Sequence, residues 1–340
     1  MSNLSRRDFI RFLMTLSAAG LASYLSGCKT LEATLTKVPS KVAKLPTRGL
    51  SESTPPANTA TAEIPVSTEG AYLAVARGEA LSPAERTRRA IASVGGIERY
   101  VKKGADVIVK PNICNAYHGS EYASTTNPEV VAAIVGLCLS AGAKRVRVMD
   151  FPFGGKAKNA YETSGIAQAV EAVGGQMELM NLLKYQKVEI PNAMALKKTE
   201  VYGDILNADT VINVPIAKHH SGAGLTLGLK NLMGVILNRG ALHANGLHQS
   251  IVDLSTIVRP HLTVIDATRI LVGNGPTGGS LSDVREMDTV IASQDVVAAD
   301  AYAATLFNMT GADIEYIRLA DQLGLGTMDL KSITIETIDA

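Results

Sequence analysis

Three lysines stand in motifs that allow close approach to a ligand. Lys110 lies in Val109-Lys110-Pro111-Asn112, Lys218 in Ala217-Lys218-His219-His220, and Lys230 in Gly228-Leu229-Lys230-Asn231. Three ammonium groups converging on one point hold a carboxylate or a phosphate. Asn112 and Asn231 add directional hydrogen bonds, and Asp266 and Asn274 are further expected ligand contacts. The competing reading is structural: the lysines pair with Asp150, Asp266 or Asp295 and fix loops. Gly222-Ala223-Gly224, ahead of an apolar stretch, offers backbone amides to an anion. No complete phosphate-loop or dinucleotide fingerprint accompanies it.

Histidines form a second constellation. His219 and His220 are adjacent, and His243 and His248 flank a short loop. With Asp253 or Asp266, neutral imidazoles can bind a divalent metal, although the spacing matches no standard zinc motif. The alternative makes His220 a general acid–base next to Lys218. Cys114 follows Lys110 closely and either faces the same cleft or is a small buried thiol; Cys138 sits in an apolar helix and reads as packing. Asn274-Gly275-Pro276-Thr277-Gly278-Gly279 is either a lid or a connector. Asp295 is an N-cap candidate, with Asp300 one turn further on.

Alternating strands and helices must position these groups. Apolar runs predict strands at 72–76, 106–109, 146–149, 210–214, 262–265 and 290–292. Helices are expected from Ser82-Pro83, from Asn127-Pro128 to Ser140, over 161–173, over 249–258 and over 296–306. Continuous apolar strands separated by helices imply an α/β fold, a largely parallel sheet with helices on both faces. A split into two sub-lobes stays open. Lys110, Asp150, Lys218 and Asp266 each follow a strand, so a parallel sheet brings them to one edge, where open α/β proteins place ligands.

Composition narrows the partners. The 340 residues are 46% hydrophobic and 19% charged, enough to bury a core. Aromatics are 4% and Trp is absent, which argues against stacking platforms for single strands or sugars. The net charge of +1 hides an uneven distribution, because residues 1–50 carry eight basic and two acidic side chains. The remaining body is mildly acidic and a poor partner for nucleic acid. Three cysteines, at 28, 114 and 138, supply neither a disulfide scaffold nor a built-in iron–sulfur cluster.

The first residues read as an address. Ser5-Arg6-Arg7-Asp8-Phe9-Ile10-Arg11 has the form of a twin-arginine export signal, followed by a moderately apolar stretch from Phe12 to Gly27. Leu25-Ser26-Gly27-Cys28 resembles a bacterial lipobox, which makes Cys28 the lipid-carrying residue. The expected organisation is a twin-arginine lipoprotein signal peptide over 1–27, a flexible Thr-, Ser- and Pro-rich tether over 28–70, and an α/β domain over 71–340. The mature protein is then anchored by lipid at the periplasmic or outer face of a membrane.

The body resembles the bacterial and archaeal family called "domain of unknown function 362". The residues that carry the resemblance are Val109-Lys110-Pro111-Asn112, Asn213 through His220, Leu225 through Gly234, Val264-Ile265-Asp266-Ala267, Gly273-Asn274-Gly275-Pro276, and Ala292 through Asp300. The family usually has Lys-Thr-His where this chain has Lys218-His219-His220, so His219 is a departure. Some members append cysteine-rich ferredoxin-like modules, and this chain has no such cysteine run. The family name implies no reaction. A remote likeness to the amino-terminal domain of nickel-pincer lactate racemase rests on fold analogy and on basic-plus-histidine content. Two functions remain. The first is an exported enzyme acting on a small carboxylate or phosphate by redox or isomerisation chemistry. The second is a non-catalytic lipoprotein that captures a ligand or metal.

Overall fold

The computed structural model describes residues 72–340. The expected signal peptide, tether and Cys28 lie outside the described residues. Twelve strands are present: β1 Leu73–Arg77, β2 Asp106–Pro111, β3 Arg145–Val148, β4 Gln176–Met177, β5 Tyr185–Glu189, β6 Lys198–Tyr202, β7 Thr210–Val214, β8 Ile216–His220, β9 Gly224–Thr226, β10 Leu262–Leu271, β11 Val284–Ser293 and β12 Ile335–Asp339. The main sheet runs β12-β1-β11-β10-β7-β2-β3-β4, with β8 pairing β10 and β9. β10, β7, β2, β3 and β4 are mutually parallel, whereas β11 is antiparallel to both β1 and β10. β5 and β6 form a separate hairpin.

Period-2 alternation sorts the strand side chains onto two cores. Ile108 and Val75 join one apolar cluster, and Val107, Val109, Ala74 and Ala76 join the other. The second cluster is covered by the Pro83–Ser93 and Pro128–Ser140 helices. The first is covered by Leu247–Ile257, Val296–Thr305 and Glu315–Gln322. Ser82, Asn127 and Asp295 start three of these helices, each side chain accepting from backbone N–H groups of the first turn. No helix of the described residues is long and apolar enough to cross a membrane.

The expected helix over 161–173 is two helices, Ala157–Thr163 and Ile166–Ala172. Gly165, at φ 75°, breaks the run with a left-handed conformation that no apolar periodicity reveals. Residues 72–340 also fall within one compact unit, so the split into sub-lobes is not found. The last two expected strands, 262–265 and 290–292, are the start of β10 and the end of β11, each ten residues long.

β2 continues through the Pro128–Ser140 helix to β3 and β4 on one side. On its other side lie β7 and then β10. The strand order therefore reverses between β2 and β7, where an open parallel sheet leaves a crevice at the carboxyl ends of its strands. Lys110 is in register with Asn213 across that junction.

Arg147 on β3 holds the sheet edge near β4. Its guanidinium bonds Asp106 and Glu178 and pairs with Asp204, while Lys184 bridges Glu178 and Asp204. Burial opposes ionisation of these three carboxyls, yet the hydrogen bonds from Arg145, Arg147 and Lys184 outweigh it and hold all three below their ordinary values. A depressed carboxylate contributes stability that is full above its unfolded pKa and lost as pH falls through its folded value. Replacing Arg147 by Met should therefore cost about 3 kcal/mol at pH 7 in urea unfolding. The difference from the parent should start to shrink as pH drops below about 4, where the freed carboxyls of the variant protonate, and vanish only below the depressed folded values, where those of the parent are protonated too.

Candidate functional site

Period-2 alternation puts Lys110 on the same sheet face as Ile108, at the carboxyl end of β2, with only 1% of its surface exposed. Its Nζ is 2.8 Å from Asp150 Oδ1 and donates to Asn231 Oδ1 and to the Pro111 carbonyl, each at 3.0 Å. Burial pulls its pKa down, opposed by the Asp150 charge. Asp150 follows β3 and is pinned by the Ile113 N–H on Oδ2 at 2.6 Å. Gly234 leaves room for this pair: a Cβ there would collide with Asp150 Oδ1 and Lys110 Nζ.

Asn231 is the hub of the polar network. Its Oδ1 also accepts from Asn112 Nδ2 at 2.9 Å, and its Nδ2 donates to Asn213 Oδ1 at 2.8 Å. Asn112 Oδ1 accepts from Lys218 Nζ at 3.0 Å, and the Ser124 carbonyl accepts a second Lys218 bond at 2.6 Å. A chain of hydrogen bonds thus links Lys110, Asn231, Asn112 and Lys218. The Gly228–Asn231 turn that presents Lys230 and Asn231 is held by Asp300, whose carboxylate oxygens accept from the Gly228 and Leu229 N–H groups at 2.6 and 2.9 Å. Burial raises the Asp300 carboxyl to about 8 even against those two bonds.

All three lysines line one cleft of about 250 Å³. It is also lined by Asn112, Cys114, His220, Asn231, Arg239 and His243, with Asp150 as its single acidic residue among the described lining. Lys230 is 9% exposed and makes no hydrogen bond or ion pair with a described residue. Burial, then the nearby Lys218 charge, bring its amine down to about 7. Arg239 donates to the Phe151 and Pro152 carbonyls at 2.7 and 3.1 Å and lies over the Phe151 ring.

His220 departs from the acid–base expectation. Its Nδ1 accepts two backbone bonds, from Gly222 at 3.0 Å and Ala223 at 3.1 Å. The hydrogen of the neutral ring therefore resides on Nε2, which is a donor. Burial first, then the Lys230 and Lys218 charges, lower its pKa to about 3 and keep it neutral. The same two bonds engage the Gly222 and Ala223 amides of the segment that was expected to face an anion.

The four histidines do not gather. His219 Nδ1 accepts from the Gly275 N–H at 3.1 Å, and His248 stacks on Tyr316 with Glu315 3.6 Å from its Nε2. Only His220 and His243 line the cleft. No group of three or more His, Cys, Asp or Glu among the described residues is arranged to hold a metal ion. Asp266 is also displaced from its expected place. It lies within β10 rather than after a strand and is fully buried. Its oxygens accept from the N–H groups of Asn127 and Thr268 and from the Thr268 hydroxyl. Asn274 bonds exposed Asp283 at 2.9 Å, while Pro276 two residues on lines the cleft and accepts from the Cys114 thiol.

The model of the family described as "Domain of unknown function (DUF362)" matches residues 107–305, which contain every group that builds this cleft. The chain belongs to this family. It is 29% identical over 253 residues to the thylakoid-associated protein sll1697 of Synechocystis sp., covering 70% of this chain and 74% of that one. Two solved structures are similar in part, both at low identity. One is the lactate racemase apoprotein of Thermoanaerobacterium thermosaccharolyticum, at TM-score 0.44 and 12% identity over 68% of this DUF362 chain and 56% of that protein. The other is a Thermotoga maritima protein, at TM-score 0.42 and 14% identity, over 68% and 60% of the two chains. The DUF362 chain thus spans less than two thirds of either solved protein.

Arg239, Phe151 and Phe153 were not singled out in the sequence. Phe151 and Phe153 follow the strand-end Asp150, a local signal, but Arg239 reaches the cleft only through folding. Replacing Gly234 by Ala should force Asp150 and Lys110 apart and cost about 3 kcal/mol in urea unfolding, the scale of breaking a buried ion pair. Gly240→Ala meets only Asn238 Oδ1 at 3.4 Å and should change stability by less than about 0.5 kcal/mol.

Proposed function

We propose that the cleft binds a small anion, a carboxylate or a phosphate, as the substrate of an enzyme. The observation that carries this reading is Lys230: a buried amine-bearing side chain with no partner among the described residues, beside Lys218, Lys110 and Arg239 and facing one acidic side chain. A bound anion supplies the missing counter-charge and a hydrogen-bond acceptor. His220 Nε2–H and the third proton of Lys218 are further donors suited to an anionic oxygen. The cleft volume is at the small end for ligand sites, which favours a compact molecule.

The second reading is a binding protein that captures the anion without turning it over. The Nδ1 bonds of His220 favour it, because they remove the histidine that would act as general base. Both readings take the same ligand class. A bound divalent metal is the weaker proposal, since among the described residues no third His, Cys, Asp or Glu is grouped with His220 and His243.

Calorimetric titration with lactate and with inorganic phosphate tests the anion site. Lys230→Met combined with Lys218→Met should weaken binding at least tenfold, with melting curves checking that the variant is folded. The pH dependence has a definite sign. Lys230 titrates near 7 in the free protein, and a seated anion raises it, so binding takes up a proton. Affinity should be level below pH 7 and fall about tenfold between pH 6 and pH 8. Unchanged affinity in the double variant would remove this function.

We further propose that the chain is exported by the twin-arginine route and anchored by lipid on Cys28. The support is the order Arg6-Arg7, apolar stretch, Leu25-Ser26-Gly27-Cys28. The related Synechocystis protein is named as thylakoid-associated, which accords with a membrane-bound setting. Arg6→Lys with Arg7→Lys should block export in a cell fractionation assay, and Cys28→Ala should release the domain from the membrane. Export of the double-lysine variant at the parental level would sink this proposal.

A further inference from the structure

We propose that Lys230 is an amine nucleophile that condenses with the carbonyl group of a small 2-oxo acid, forming a reversible imine inside the cleft. The inference rests on the anion-site reading, because the neighbouring cations receive the carboxylate of such a molecule.

The three lysines differ in what holds their protons. Lys110 donates to Asn231 and Pro111 and faces Asp150. Lys218 donates to Asn112 and Ser124. Each has acceptors that favour the ammonium form and engage its protons, so neither offers a free electron pair. Lys230 is as enclosed as a core residue, lines the cleft, and has no acceptor among the described residues. Lys218, Arg239 and Lys110 disfavour a further positive charge beside them, and burial acts in the same direction. An amine desolvated and set next to other cations is the arrangement that frees a lysine electron pair near neutral pH.

The other lining groups suit a carbonyl rather than a second base. His220 presents Nε2–H, a neutral donor for the carbonyl oxygen, and its Nδ1 is occupied, so it does not take the proton that Lys230 releases. Asn231, adjacent in the chain, is bonded on both sides of its amide and fixes the turn that carries Lys230. The bond changes balance without an oxidant or reductant. The Lys230 nitrogen pair attacks the carbonyl carbon, the C–N bond forms, and the π electrons pass to oxygen, which takes a proton. The attacking nitrogen gives up a proton to solvent water, matching the one that oxygen took, which leaves the neutral carbinolamine. Its hydroxyl then takes a second proton from solvent water, the C–O bond breaks as the nitrogen pair forms the C=N bond, and water leaves. The product is an imine, whose protonated form restores the charge that Lys230 carried as an ammonium.

The test uses the full chain with pyruvate as probe and cyanoborohydride as trap, followed by peptide mass spectrometry. The expected result is one reduced adduct, on the peptide carrying Lys230, absent in Lys230→Met and suppressed by excess lactate. At saturating pyruvate the rate of adduct formation, corrected for the trap's own pH dependence, should rise with pH, because the amine, held above its free value by the seated carboxylate, must lose its proton before it attacks. The groups facing the amine that also set this profile are Lys110, Lys218, Arg239, His220, His243, Cys114 and Asp150. Peptide mapping locates the adduct without relying on any variant's fold. Adducts spread over exposed lysines such as Lys158, with Lys230 unmodified while calorimetry shows pyruvate bound, would overturn the imine and leave the anion site standing. Failure of pyruvate, lactate and phosphate to bind at all would take down both.

Discussion

Positive charge enclosed at the β2–β7 junction is the constraint around which the rest of the structure is arranged. Three lysines and an arginine line one small cleft, and ammonium groups withdrawn from water repel each other far more than they would in solvent. Two devices make this tolerable. Asp150 neutralises Lys110 directly, and the asparagine network gives Lys110 and Lys218 oxygen acceptors without adding negative charge. Lys230 is left outside both devices. Among the described residues, the site is therefore underfilled electrostatically at one definite atom, the Lys230 amine.

Much of the surrounding architecture serves to hold the pieces of this network in place. The backbone N–H of Ile113 pins Asp150, and Asp300 pins the turn that carries Lys230 and Asn231. Gly234 permits the backbone to approach the Lys110–Asp150 pair, since any side chain there would occupy the same space. The Gly222–Ala223 amides fix the His220 ring and its tautomer. Each support comes from a different segment, so the cleft exists only when the parallel centre of the sheet, the Gly228–Asn231 turn and the Val296–Thr305 helix are all assembled. That assembly gathers donors and cations in one concavity, with one amine whose proton is weakly held.

The chain order of residue types determined a good deal by itself. Strand-length apolar runs followed by Lys110, Asp150 and Lys218 announced a parallel sheet and the edge where its polar residues collect, because strand alternation and the carboxyl-end rule are local and topological properties. Ser82-Pro83, Asn127-Pro128 and Asp295 announced helix starts for the same reason: a cap is satisfied within four residues. The lysines and asparagines of the cleft were legible from their motifs. Tertiary structure alone decided what each polar group does. Asp266 looked like a strand-end ligand and is a buried anchor, because β10 continues for six residues beyond Ile265 and carries it into the interior. The histidines looked like a set and are dispersed, since β8 pairs with β9 and directs neighbouring side chains to opposite faces. Arg239 entered the cleft unannounced, and Lys230 differs from Lys110 and Lys218 only in its partners. The asparagine partners of Lys110 and Lys218 lie more than a hundred places away in the chain, and that distance is closed only by folding.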